Sequence, residues 1–144
     1  MMTNKVAVVT GGSSGIGLCT AEALRDLGCT VYELSRREFS DNGIRHISVD
    51  VTDEAASSIG QIIAEHKNIH ILVNCAGFGI SGAVELTELS DAKRQFDVNF
   101  FGMVNVNKAV LPYMRLGGGG RSGRPSSATG PSAAGKRCAS PFPS

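Results

Sequence analysis

At 144 residues, 42% hydrophobic and 19% charged, the chain has the size and composition of one soluble globular domain, which argues against whole-chain disorder or a membrane-embedded protein. The formal net charge of +1 hides an asymmetry, because Arg121, Arg124, Lys136 and Arg137 lie beyond Gly117 with no acid among them and residues 1–116 are therefore net acidic. An acidic body, with tail bases that are scattered and lack aromatic neighbours, argues against nucleic-acid binding.

The elements read in order as β-α-β-β-α-β-α. Lys5 to Thr10 is a β-branched run that stops at glycines, the pattern of a buried parallel strand. Ile16, Ala23, Leu24 and Leu27 recur at helical spacing up to Gly28. Thr30 to Leu34 is a second strand, and Ile44, Ile47 and Val49 mark a third that ends at Asp50. Thr52 or Asp53 caps a helix to about His66, with Ile59, Ile62 and Ile63 inward. Ile69 to Val73 is a fourth strand, followed by a loop with Gly77, Gly79 and Gly82. A long helix from near Ser90 to the glycines at 117 carries Phe96, Phe100, Met103, Val110 and Met114 at helical spacing. Such crossovers demand an α/β fold with a doubly wound parallel sheet of the Rossmann type.

Beyond Gly117 the composition changes to Gly, Ser, Ala, Pro and Arg, with four of the five prolines. A segment this poor in large apolar residues cannot offset the entropy of ordering it. The expected division is a dinucleotide-binding unit over 1–116 and a disordered tail over 117–144, with the sheet stopping after its fourth strand and following helix. The four cysteines form no Cys-x-x-Cys pair and no spacing suited to zinc or a disulfide framework, and a reducing cytoplasm is the default setting. His66 and His70 are four apart, but the helix is expected to end between them, so no metal site is expected.

Thr10-Gly11-Gly12-Ser13-Ser14-Gly15-Ile16-Gly17 lies between the first strand and the first helix. Glycines there allow a tight turn and close backbone approach to a pyrophosphate, to which the helix N-terminus offers free amides and a positive dipole. No Lys-Ser or Lys-Thr follows, so the turn is not the loop of a nucleoside-triphosphate site. It resembles the TGxxxGIG fingerprint of the short-chain dehydrogenase/reductases, and three further stations of that family occur in order. Asp50-Val51 resembles its Asp-Val pair, whose carboxylate meets the adenine amino group. Asn74-Cys75-Ala76-Gly77 resembles its NNAG motif, with Cys75 in place of the second Asn. Val98-Asn99-Phe100-Phe101-Gly102 resembles the helix that carries the family's catalytic Asn.

The resemblance implies an NAD(P)-dependent oxidoreductase that transfers a hydride between a nicotinamide dinucleotide and an alcohol or ketone. It places the cofactor on Gly11, Ser13, Ser14, Gly15, Ile16, Gly17, Asp50, Val51, Asn74, Ala76 and Gly77, and gives Asn99 a supporting catalytic role. Dinucleotide folds use an acid after the second strand for the ribose of NAD and an arginine for the 2′-phosphate of NADP. Glu33 lies inside that strand, and Ser35-Arg36-Arg37 stand at its end. NADP is favoured, with Ser35 and Arg36 as phosphate contacts, and NAD is the alternative.

The family's tyrosine and the lysine four residues after it have no counterpart here. Tyr113 is followed four residues later by Gly117, and Tyr32 lies in the second strand. The loss of pattern after Leu116 looks like a reading-frame change, and without its general acid the chain is expected to be close to inert. The rival readings are a non-catalytic dinucleotide-binding fragment and a product with no function. An open edge on the fourth strand, together with a second apolar side of the long helix at Val98, Phe101 and Val104, is expected to drive self-association.

Overall fold

The computed structural model describes residues 2–38 and 42–124. Parallel strands β1 (Val6–Thr10), β2 (Thr30–Ser35), β3 (Arg45–Ser48), β4 (Ile71–Asn74) and β5 (Arg121–Gly123) form one sheet in the order β3-β2-β1-β4-β5. Helices α1 (Gly15–Asp26) and α2 (Ala55–His66) make the crossovers. Helices α3 (Leu89–Phe96) and α4 (Met103–Leu116) are joined without a break by a π-helical turn over Asp97–Gly102.

The run of Val and Ala in β1 has a plain cause: every residue of the strand is buried, and the two faces pack against different helices. Val6 and Val8 join Leu34, Ile59, Ile62, Leu72, Val106 and Val110 on the side covered by α2 and α4. Ala7 and Val9 join Ala21, Cys29, Val31 and Ile44 on the side covered by α1. A strand apolar on both faces is stable only between such layers. β1 and β4 are neighbours in the sheet, whereas the chain leaves β1 for β2 in the opposite direction. The crevice at the carboxyl ends of these strands is therefore the topological switch point, where doubly wound folds bind ligands.

Four expectations change. The sheet does not stop at β4, because Arg121–Gly123 pairs with it in parallel, Ile71 opposite Arg121 and Val73 opposite Gly123. Gly118 and Gly119, both at positive φ, turn the chain out of α4, and the Arg121 amide donates to the His70 carbonyl at 2.9 Å. β4 itself supplies the bonding edge, so a strand forms without apolar side chains of its own. Residues 125–144 of the expected tail lie outside the described residues.

The long helix buries Val110 and Met114 as expected, but the rest of its stripe differs. Val98, Gly102, Val106, Val110 and Met114 face the sheet, whereas Phe96 and Phe100 are 65% and 49% exposed. The wide π turn shifts the phase between α3 and α4, so one stripe cannot be carried straight through it. In α1 the buried positions are Gly17 and Ala21, with Ile16 and Leu27 exposed. The N-cap position of α2 is Glu54 rather than Thr52 or Asp53.

Two substitutions on α2 separate packing from helix propensity. Ile62 is fully buried, and Ile62→Ala is expected to cost about 2–5 kcal/mol in urea denaturation. Gly60 is exposed with open space at its Cβ position, so Gly60→Ala is expected to raise stability by about 0.5–1 kcal/mol.

Candidate dinucleotide site

The Thr10–Gly17 turn is held against the end of β4 by backbone contacts. The Thr10 hydroxyl accepts from the Cys75 and Ala76 amides at 3.2 and 3.1 Å, and the Thr10 carbonyl accepts from the Cys75 amide at 3.1 Å. Gly11 has φ +66°, and a Cβ there would stand 2.7 Å from the Ala76 nitrogen. A Cβ on Gly17 would overlap the Gly11 carbonyl oxygen. Both positions therefore require glycine, one for its conformation and its neighbour, the other for its neighbour alone.

This packing sets the start of α1 at the switch point. Ser14, its N-cap residue, makes no side-chain capping bond, and the first turn carries no acid. The helix start is left open to an anion, with Ser14, Gly15 and Ile16 exposed and Ser13 half-buried beside them. The residues present fit the pyrophosphate of a dinucleotide.

Asp50 leaves β3 and turns back on itself. Its Oδ1 accepts from the Thr52 hydroxyl at 2.6 Å and from the Thr52 amide at 3.0 Å, and these bonds, with Arg36 beyond them, hold its carboxyl below the usual range. The other oxygen faces Arg36 at 3.9 Å. Val51 is buried, and α4 ties this turn through Asn105, whose amide nitrogen donates to the Val51 and Thr52 carbonyls. Asp50, Thr52 and Arg36 line a cavity of about 460 Å³, closed on its other side by Arg94, Asp97 and Val98.

Glu33 takes no part in that cavity. It is fully buried inside β2 with its Cγ beneath Gly12, and its Oε2 is bonded to His46 Nδ1 at 2.5 Å. The group at the end of β2 is Ser35, followed by the exposed Arg36.

Asn74 is buried, and its amide nitrogen donates to Asn107 of α4 at 3.4 Å; Asn107 also accepts from the Ser122 hydroxyl at 3.0 Å. Asn74 thus ties sheet to helix, and through Ser122 to β5, while Ala76 and Gly77 continue along the crevice. Cys75 sits where a second Asn was expected; its amide is satisfied by Thr10, and burial raises its thiol pKa. Asn99, within the π turn, accepts from the Phe78 amide at 2.9 Å and donates to the Phe78 carbonyl at 2.8 Å. Gly77 makes room for it, since a Cβ there would stand 2.6 Å from the Asn99 Oδ1.

Neither tyrosine reaches the crevice. Tyr32 is buried on the α2 side near the start of β2, where its hydroxyl donates to Glu65 and accepts from Arg45, and burial raises its pKa. Tyr113 packs against the core from α4. His66 meets Tyr32, and His70 Nδ1 accepts from the Val6 amide at 3.1 Å, so the two histidines serve different contacts. Sequence reading gave Thr52 only as a cap candidate and missed its local bonds to Asp50; it missed Asn105, Asn107 and Arg94 altogether, because their relevance comes from tertiary proximity.

A doubly wound sheet with a glycine-rich turn at its switch point, an open helix start and an acid after β3 defines a fold of the dinucleotide-binding class. The sequence profile of the short chain dehydrogenase family matches residues 5–133, and the chain belongs to that family. The match runs past Gly117 and takes in β5. Across 117 residues the chain is 43% identical to a 3-ketodihydrosphingosine reductase of Bacteroides thetaiotaomicron, covering 79% of this chain and 44% of the relative. Among solved structures, the ligand-free aldohexose dehydrogenase of Thermoplasma acidophilum superposes with a TM-score of 0.75 at 38% identity, over 78% of this chain and 45% of that one. A short-chain dehydrogenase from Streptomyces avermitilis gives 0.79 at 34%, over 86% and 49%. The chain spans about half the length of the relatives it matches. Membership of the family implies a nicotinamide dinucleotide cofactor.

Gly17→Ala tests the turn directly. It is expected to abolish any rise in melting temperature on adding dinucleotide and to lower the melting temperature of the free chain, both read by differential scanning fluorimetry.

Proposed function

We propose that this chain is the cofactor-binding half of an NADP-dependent reductase or dehydrogenase acting on ketones and alcohols, and that the 144 residues alone bind NADP(H) without turning substrate over. The observation that carries the cofactor preference is the arrangement at the end of β2. The acid of that strand, Glu33, is buried and bonded to His46, while Arg36 stands exposed beside the cavity that Asp50 borders. The Arg36–Asp50 pair is exposed and 3.9 Å apart, so it contributes little and leaves Arg36 available to a phosphate.

In this reading the nicotinamide of the bound cofactor supplies the hydride chemistry. The start of α1 binds the pyrophosphate, Asp50 accepts from the adenine amino group, and Arg36 with Ser35 meets the 2′-phosphate. Asn99 is a positioning residue that fixes the Phe78 backbone beyond Gly77. The relative named a 3-ketodihydrosphingosine reductase makes a long-chain ketone the first substrate class to try in a longer form of the protein. The 144 residues hold no Tyr-x-x-x-Lys, and both tyrosines are engaged away from the crevice, which supports the lack of turnover.

Titration calorimetry should find NADPH preferred over NADH, with Arg36→Ala erasing the preference by weakening NADPH about tenfold. Equal affinities in the unmodified chain would overturn the assignment. A panel of ketones and aldehydes should give no protein-dependent oxidation of NADPH.

The same reading includes self-association: the β4 edge expected to drive it is taken by β5 and Val98 packs against the core, so the long helix alone remains, supported by the exposure of Phe96, Phe100 and Phe101. Light scattering after size exclusion should give a mass above 15.0 kDa that falls towards the monomer in Phe96→Ser/Phe100→Ser.

A further inference from the structure

We propose that Arg94, in the last turn of α3, is a second cationic contact for the 2′-phosphate of NADP(H), in addition to Arg36. The inference rests on the dinucleotide reading and adds a specificity-determining residue from another part of the fold. Arg36 and Arg94 both line the 460 Å³ cavity, one from just beyond the end of β2 and the other from α3. Its lining also holds two carboxylates, Asp50 and Asp97.

Charge decides why one arginine does not suffice. A phosphate monoester carries nearly two negative charges at neutral pH. With Arg36 alone the lining would present two carboxylates against one guanidinium, and that guanidinium already faces the Asp50 Oδ2 at 3.9 Å. Such a cavity repels a phosphate. Arg94 removes the excess negative charge, and its own guanidinium is not committed elsewhere: it forms no salt bridge among the described residues and lies 5.4 Å from the Phe78 ring centroid. Phe78, whose ring seats Arg94, is anchored at its main chain, its amide and its carbonyl both held by Asn99. The guanidinium is thus oriented without being neutralised, which suits it to a planar, multi-donor grip on phosphate oxygens.

The test is calorimetry on the 144-residue chain with NADP⁺ and NAD⁺, and with adenosine 2′,5′-bisphosphate and 5′-AMP as fragments. Arg94→Ala should weaken NADP⁺ and the bisphosphate about tenfold and leave NAD⁺ and AMP within about twofold. Arg94→Lys should keep part of the discrimination, since it retains charge and loses the fork. Asp97→Asn, which removes a carboxylate from the same wall, should tighten NADP⁺ and spare NAD⁺. Arg94 is exposed, and an unchanged melting temperature of Arg94→Ala confirms that the variant folds. Equal losses for phosphorylated and unphosphorylated ligands, or an unaltered NADP⁺ to NAD⁺ ratio in either Arg94→Ala or Asp97→Asn, overturn the proposal. Should Arg36→Ala erase the preference while Arg94→Ala leaves it, the NADP reading stands and this inference alone fails. Equal binding of NADP⁺ and NAD⁺ by the unmodified chain removes both.

Discussion

Backbone lies directly on backbone where the Thr10–Gly17 turn meets the end of β4, and the geometry of the crevice follows from that contact. The Gly11 Cα leaves no space for a side chain against Ala76, and Gly17 leaves none against the Gly11 carbonyl. Thr10 closes the same junction from inside the sheet, satisfying the Cys75 and Ala76 amides with its carbonyl and hydroxyl. An inserted methyl group would have to push apart either the strand or the helix, because the atoms it meets are main chain. The start of α1, the end of β1 and the loop after β4 therefore hold fixed positions relative to one another. A helix start can act as a preorganised anion site only when its amides cannot drift.

The second wall is built with side chains and is softer. Asp50 is held by Thr52, the turn after it by Asn105 of α4, and the loop at Gly77-Phe78 by Asn99 of the π turn. A π turn brings one extra residue into the helical circuit, which lets Asn99 reach the Phe78 backbone while Val98 and Gly102 still face the sheet. The same feature explains the exposure of Phe96 and Phe100. The helix gains a polar clamp on the crevice, and α3 is left without a buried face.

What could be read from sequence follows from which interactions are local. The strand-turn-helix glycines, the apolar runs of β1, β2 and β4, and Ile59 and Ile62 of α2 were legible because each pattern is set by its own element's period or by a backbone requirement. β5 was not, since Arg121-Ser122-Gly123 carries no apolar side chain and becomes a strand only because β4 offers an edge and two glycines turn the chain towards it. The phase of the long helix was not legible either, because nothing in Asp97–Gly102 announces a π turn. In the candidate site, Arg36 and Asp50 stood out at strand ends. Arg94 looks no different from Lys93 in sequence, and only the cavity between α3 and β2 separates them.

The two faces of the sheet are covered unequally, and this bears on what the described residues can do. On the α2–α4 side, β4 contributes Leu72 and Asn74, both buried under α4. On the α1 side it contributes Ile71 and Val73, which are only half-buried, because α1 packs mainly over β1 and β2. The half of the crevice built from β1, β2 and α1 thus has helices packed on both faces of its strands, and it holds the glycine turn and Arg36, with Asp50 just beyond β3. In the other half, β4 is fully covered on one face only, and β5 is exposed along its length. A rigid anion cradle needs support under the turn alone, whereas placing a carbonyl carbon against a hydride donor needs walls on every side of the reacting atoms. Among the described residues the layering supplies the first of these, and that support under the turn is the physical reason to propose dinucleotide binding for it.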